Sequence, residues 1–143
     1  MKKFYFKQEK ILRLRVHSEN EAKMELGRLT GILAEIENNI RSIAEERIMA
    51  AANQFLPENS ALDMLQYSYY IARLDSTKEK LLHDAAMMEI KIEEARAVYM
   101  EASRERKIMD KLKEKQQMEY RKEYNREEAK TLDELSSVAY SRR

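Results

Sequence analysis

The chain has 143 residues, 27 basic and 26 acidic, for a formal net charge of +1, with two glycines, one proline and no cysteine. That length suits one domain. Charged residues at 37% with so little Gly and Pro describe long solvated helices rather than sheets or loops, and a 43% hydrophobic fraction takes the chain out of the disordered class. The balanced charge argues against a dedicated nucleic-acid binder, which carries a basic excess, and the absence of cysteine excludes a disulfide framework or thiolate metal site.

The opening MKKFYFKQEK starts like a signal peptide but lacks the apolar core of one. No apolar stretch approaches the ~20 residues that cross a bilayer. The expectation is therefore a cytoplasmic chain with no direct membrane insertion.

Residues from about 4 to 53 read as a first helix. Ile11, Leu12, Leu14 and Val16 open it, and a strict apolar seam follows at Ala22, Leu26, Leu29, Leu33, Ile36, Ile40 and Ile43. Alternating three- and four-residue steps average 3.5, the repeat that keeps a narrow stripe against a partner helix. Between the two, Leu14, Ser18 and Ala22 take two four-residue steps, a spacing that locally unwinds a supercoil. Gly27 and Gly31 fall outside the seam and read as tolerated surface glycines, each costing about 1 kcal/mol relative to Ala.

Residues 54–60 break the pattern at Pro57, which removes a backbone donor and ends the helix before it. Ser60 with Asp63 three residues on resembles a helix start, although Asn59 serves equally well as the cap. So short a connection makes two amphipathic helices antiparallel neighbours.

A second helix is expected from about 60 to 136, with a short basic tail beyond it. Its seam is Tyr67, Ile71, Leu74, Lys78, Leu81, Ala85, Met88, Ile92, Ala95, Tyr99, Ala102, Arg106 and Met109, with Lys78 and Arg106 out of step. After Met109 the seam decays through Leu112, Gln116, Glu119 and Glu123. The stretch from Lys107 to Lys130 is dense in both signs of charge, and so frays or docks onto something else. The fold class is thus all-α: one coiled-coil domain over 1–143, a long antiparallel two-helix hairpin with the second helix longer, expected to be monomeric.

Catalytic chemistry is missing. Gly27 and Gly31 do not form a phosphate loop, and His17 and His83 have no second ligand at metal spacing. The paired acids Glu45-Glu46, Glu93-Glu94 and Glu127-Glu128 diverge by ~100° on a helix and have no pocket. No enzyme, cofactor or metal is expected. Tyr69, Tyr70, Leu82, Met87, Ile90, Val98 and Ile108 lie off the seam, and the Tyr69/Tyr70 patch through Leu82 reads as a docking face.

Three segments resemble a known family. Phe4-x-Phe6-x4-Ile11-Leu12-x-Leu14-Arg15 is similar to the opening F-x-F-x-L-x-x-L-L-x-x-R of the FliJ family of the flagellar type III export apparatus, with Glu19 and Glu21 in its acidic region. Leu65-Gln66-Tyr67-Ser68-Tyr69-Tyr70-Ile71-x2-Leu74 resembles the aromatic start of the family's second helix. Lys130-x-Leu132-Asp133-Glu134-x4-Ala139-x3-Arg143 resembles its closing K-x-L/M-D-E and basic tail. The hydrophilic stretch after Met109 departs from some members.

The resemblance implies a cytoplasmic, non-catalytic stalk, peripheral to the cytoplasmic face of the inner membrane. The end with both termini would enter the hexameric ring of the export ATPase and promote its assembly and activity. The rest would contact the cytoplasmic domain of the export-gate membrane protein and export chaperones. On that basis Arg13, Arg15, Glu114, Lys115, Glu119, Arg121, Lys122 and Glu123 are expected to meet the ring. Tyr70 and Leu74, with Leu81 as their continuation, fall in the gate-binding region, joined by Tyr69 and Leu82 of the docking face. Leu74 and Leu81 also sit on the seam. The alternatives are an injectisome stalk, a general dimeric coiled-coil scaffold with Pro57 as a mere kink, and a nucleic-acid-binding helical tail over Lys107 to Lys130.

Overall fold

A computed structural model describes residues 2–142. It contains helix α1, Glu9–Gln54, and helix α2, Ala61–Ser141, with no strand among the described residues. The all-α hairpin expected from the spacing is what the chain adopts, with α2 the longer arm. The chain divides into two units: Ala22–Tyr99, and the residues up to Glu21 together with those from Met100 onward.

The Ala22–Tyr99 unit is built on the seam. All seven predicted seam positions of α1 are buried or half-buried, as are Tyr67 through Tyr99 on α2. Ala22, Leu29, Ala50, Leu74 and Ile92 are the most enclosed, at 6–9% exposure. Lys78 takes its seam position half-buried with the rest.

Pairing runs antiparallel away from the turn. Gln54 Nε2 donates to Ser68 Oγ at 2.6 Å and to the Met64 carbonyl at 3.1 Å. Further out, Tyr70 Oη donates to Glu46 Oε2 at 3.0 Å, and Arg47 Nε donates to Asp75 Oδ1 at 2.6 Å.

The turn is capped from both sides. Asn59 Nδ2 donates to the carbonyls of Asn53 at 2.7 Å and Gln54 at 3.1 Å, satisfying acceptors that the end of α1 leaves open. Ser60 and Asp63 form a reciprocal capping box: Asp63 N donates to Ser60 Oγ at 3.1 Å, and Ser60 N to Asp63 Oδ2 at 2.9 Å. Ser60 is therefore the cap of α2, and Asn59 closes α1.

In the other unit the start of α1 differs from expectation. Residues 2–6 are not helical, and α1 begins at Glu9 rather than near Phe4. Phe6 is 3% exposed, and Lys113 Nζ lies 6.0 Å from its ring centroid. Burying that ring against α2 outweighs what another helical turn would contribute, and the Glu9 amide closes the bend onto the Phe6 carbonyl at 3.2 Å.

The seam also enters differently. Leu14 is 65% exposed and Ser18 is exposed, whereas Leu12 is 6% exposed. The enclosed positions of α1 in this unit are Leu12 and Glu19, seven residues apart, with the exposed Arg15 between them paired to Glu105 of α2. The apolar Leu14 drew the expected stripe one face away, because a glutamate does not look like a seam residue. Glu19 holds that position because Arg106 of α2 stands opposite it.

Past Met109 the seam continues through Lys113, Gln116 and Tyr120, all half-buried, while Glu119 and Glu123 are exposed. α2 then remains helical to Ser141, five residues past the expected end, with every residue from 121 to 142 exposed. The predicted tail residue Arg143 lies outside the described residues. Gly27 and Gly31 are exposed, with nothing within 4 Å of where a Cβ would stand, as surface glycines should be.

Candidate partner-binding surfaces

Of the residues expected at the export gate, the helical repeat makes two kinds. Leu74, 8% exposed, and the half-buried Leu81 pack on the seam, and Leu74 in particular has little surface left to offer a partner. Tyr69 and Leu82 point outward at 64% and 43% exposure.

Tyr70 lies between the two at 38%. Its hydroxyl bridges to Glu46 of α1, and that hydrogen bond, aided by partial desolvation, raises its pKa above the ordinary tyrosine value. Tyr70 thus offers a ring edge with a fixed orientation. It borders an open groove with Asn59, Asp63, Gln66 and Tyr67.

The eight residues expected at the ATPase ring all belong to the unit containing both chain ends. Arg13 is 79% exposed and only loosely associated with Glu9 at 3.9 Å. Arg15 is 44% exposed and donates to Glu105 at 2.7 Å. Glu114, Lys115, Glu119, Arg121, Lys122 and Glu123 are exposed, with Glu123 accepting from Arg126 at 2.9 Å. Exposed pairs of this kind are worth little in stability, so these charges are free to be re-paired by a partner.

Two features of this unit were not foreseen. The first is an ionic rung inside the seam: Arg106 donates to Glu19 and to Asp110, each at 2.6 Å, with Glu19 only 16% exposed. The Glu19 hydrogen bond is the first cause holding the Arg106 pKa above its ordinary value. Lys113 adds a second link to Glu9 at 3.0 Å.

The second is an aromatic ladder. Phe4 tilts against Tyr120 with centroids 5.6 Å apart, Tyr120 stacks on Tyr124 at 6.3 Å, and the Tyr120 hydroxyl donates to the Lys2 carbonyl. Tyr120 and Tyr124 are four residues apart, a spacing that could have revealed the ladder. Following Glu119 and Glu123 down the chain hid it.

Among the described residues no group of three or more His, Asp or Glu could hold a metal, and no helix is long and apolar enough to cross a membrane. What the molecule presents is helix surface.

A family model described as "Flagellar FliJ protein" matches residues 5–143. The chain belongs to the FliJ family. The match covers both helices and the turn between them. The FliJ family is a non-catalytic part of the flagellar export system, and membership connects this chain with flagellar protein export. No curated protein and no solved structure matches the chain.

Proposed function

We propose that this FliJ-family chain is a stalk and adaptor of the flagellar export apparatus, working in the cytoplasm at the inner face of the membrane. The unit with both chain ends is gripped by the hexameric export ATPase and promotes its assembly and hydrolysis. Tyr69, Tyr70 and Leu82 face the cytoplasmic domain of the export gate, and export chaperones dock on the same protein. The observation that supports this most is the family match over residues 5–143 to a hairpin whose two ends share one unit.

Physically, the reading needs helices held in register and charges free to re-pair. The apolar seam provides the first. Arg13, Glu114, Lys115, Glu119, Arg121 and Lys122 provide the second.

Measuring ATP hydrolysis by the purified cognate export ATPase tests the reading. The full chain should raise the rate and the hexamer fraction. A chain stopped after Tyr120, which loses only exposed residues, should keep its remaining helix and lose most of the stimulation. Equal stimulation by the shortened chain would remove the end of α2 from the contact.

A further inference from the structure

The two units are held by different forces. In Ala22–Tyr99 the enclosed side chains are Ala22, Leu29, Ala50, Leu74 and Ile92, and the Arg47–Asp75 ion pair is added to a continuous apolar seam. In the unit holding the chain ends, Phe6 and Leu12 are the enclosed apolar side chains among the described residues. Every residue of α1 from Arg13 to Ser18 is exposed, and Ile11, Leu14 and Val16 leave apolar surface in solvent.

What ties this part of α1 to α2 is charge. Glu9 meets Lys113 at 3.0 Å, Arg15 donates to Glu105 at 2.7 Å, and Glu19 accepts from Arg106 at 2.6 Å. Lys113 also stands 6.0 Å from the centroid of Phe6, so a cation flanks the enclosed ring as well. The side chains of the Glu9–Lys113 and Arg15–Glu105 pairs are 31% to 44% exposed, where dissolved ions reach and screen them. Packing here also leaves Gln8 Oε1 buried without a hydrogen-bond partner among the described residues, a penalty that opening relieves. Apolar burial does not depend on screening, whereas ion pairs this exposed do. A unit held in this way has a low opening free energy that salt lowers further.

We infer that the unit holding the chain ends is an ionic clasp: residues 2–20 detach from α2 when its ion pairs are screened or re-paired, while Ala22–Tyr99 stays closed. Detachment uncovers Phe6 and Leu12 on one side and the half-buried Met109 and Leu112 on the other. It also frees Arg15, Arg106 and Lys113 together with the acids that held them. The charge surrounding the chain thereby decides how much of α2 is accessible. This goes beyond the stalk reading and holds whether or not an ATPase is the partner.

Sodium chloride is the probe, applied to the full chain, with amide exchange and methionine oxidation mapped by mass spectrometry. Raising it from about 0.1 to 1 M shortens the screening length from ~10 to ~3 Å. Amides of residues 13–20 should then exchange roughly fivefold faster, all by a common factor, while those of 32–44 change by less than about twofold. Met109 should be oxidised faster by peroxide at high salt, and Met88, half-buried on the seam of the other unit, should not. Neutralising both exposed pairs in one chain (Glu9→Gln, Lys113→Gln, Arg15→Gln, Glu105→Gln) leaves the net charge unchanged. Exchange over 13–20 in that chain should already be fast at low salt and respond little to more, with the α-helical circular dichroism of the other unit retained.

No salt response over 13–20, an equal acceleration in both units, or a response as large in the neutralised chain would overturn the clasp. Protection lost in a gradient inward from Glu9, with Met109 oxidised at its low-salt rate, would mean fraying of one helix end and would equally contradict it.

Discussion

Arg106 occupies a place where the 3.5-residue repeat calls for an apolar side chain, and it does so by bringing both of its carboxylates with it. Glu19 and Asp110 each accept a hydrogen bond at 2.6 Å. Removing one partner of an enclosed pair leaves the other charge uncompensated, whereas replacing both by apolar groups is often neutral or stabilising. Arg106→Leu should therefore lower the melting temperature and speed amide exchange over residues 9–20. Arg106→Leu with Glu19→Leu should restore both.

A second residue-scale case is Glu25. The hydrogen bond from Arg28, 2.7–2.9 Å away, lowers its pKa below the ordinary carboxylate value, against an opposing effect of desolvation. A depressed folded pKa means that the contribution to stability is present above the unfolded value and is lost as pH falls through the folded one. Carbon-detected NMR titration should place the Glu25 midpoint below those of unpaired glutamates, and Arg28→Ala should raise it back.

At the scale of elements, the boundaries are set by caps and by what each end packs against. The Ser60–Asp63 box starts α2, and Ser60→Ala should cost about 1 kcal/mol in chemical denaturation. Asn59, by contrast, serves α1, so Asn59→Ala should fray Asn53 and Gln54 and leave the first turn of α2 protected from exchange.

These caps and both seams were legible in the sequence because they rest on local spacing. The run from Tyr67 to Met109 read correctly, whereas Lys78 and Arg106, out of step by residue type, prove half-buried with the rest, and the choice between Ser60 and Asn59 as the cap was left for the structure to make. The start of α1 was not legible, because Phe4 and Phe6 look like a helical opening until α2 supplies a surface on which Phe6 is buried to 3%. Nor was the shift from Leu14 to Glu19, since only the facing Arg106 makes a glutamate suitable there. The Tyr70–Glu46 bond spans 24 residues of sequence and is decided by the register between helices. The repeat already separated the seam positions Leu74 and Leu81 from the outward Tyr69 and Leu82, but not the bridging geometry of Tyr70.

For the whole molecule, the fold and the proposed role share one requirement: the two helices must be each other's partners within a single chain. Helices paired between chains would leave the same seam buried but give the proposed stalk no hairpin to be gripped by. The chain has no cysteine, so engineered pairs report without interference. Arg47→Cys with Asp75→Cys probes the unit containing the turn, and Arg15→Cys with Glu105→Cys probes the one containing the chain ends, since each native pair bridges α1 and α2 through the tips of its side chains. The decisive measurement is the mass of each doubly substituted chain after reaction with a flexible bifunctional maleimide at micromolar concentration. A hairpin gives an internal crosslink in both variants at the single-chain mass, close to the native 17.0 kDa. Crosslinked products at twice that mass, with no internal crosslink, would contradict it.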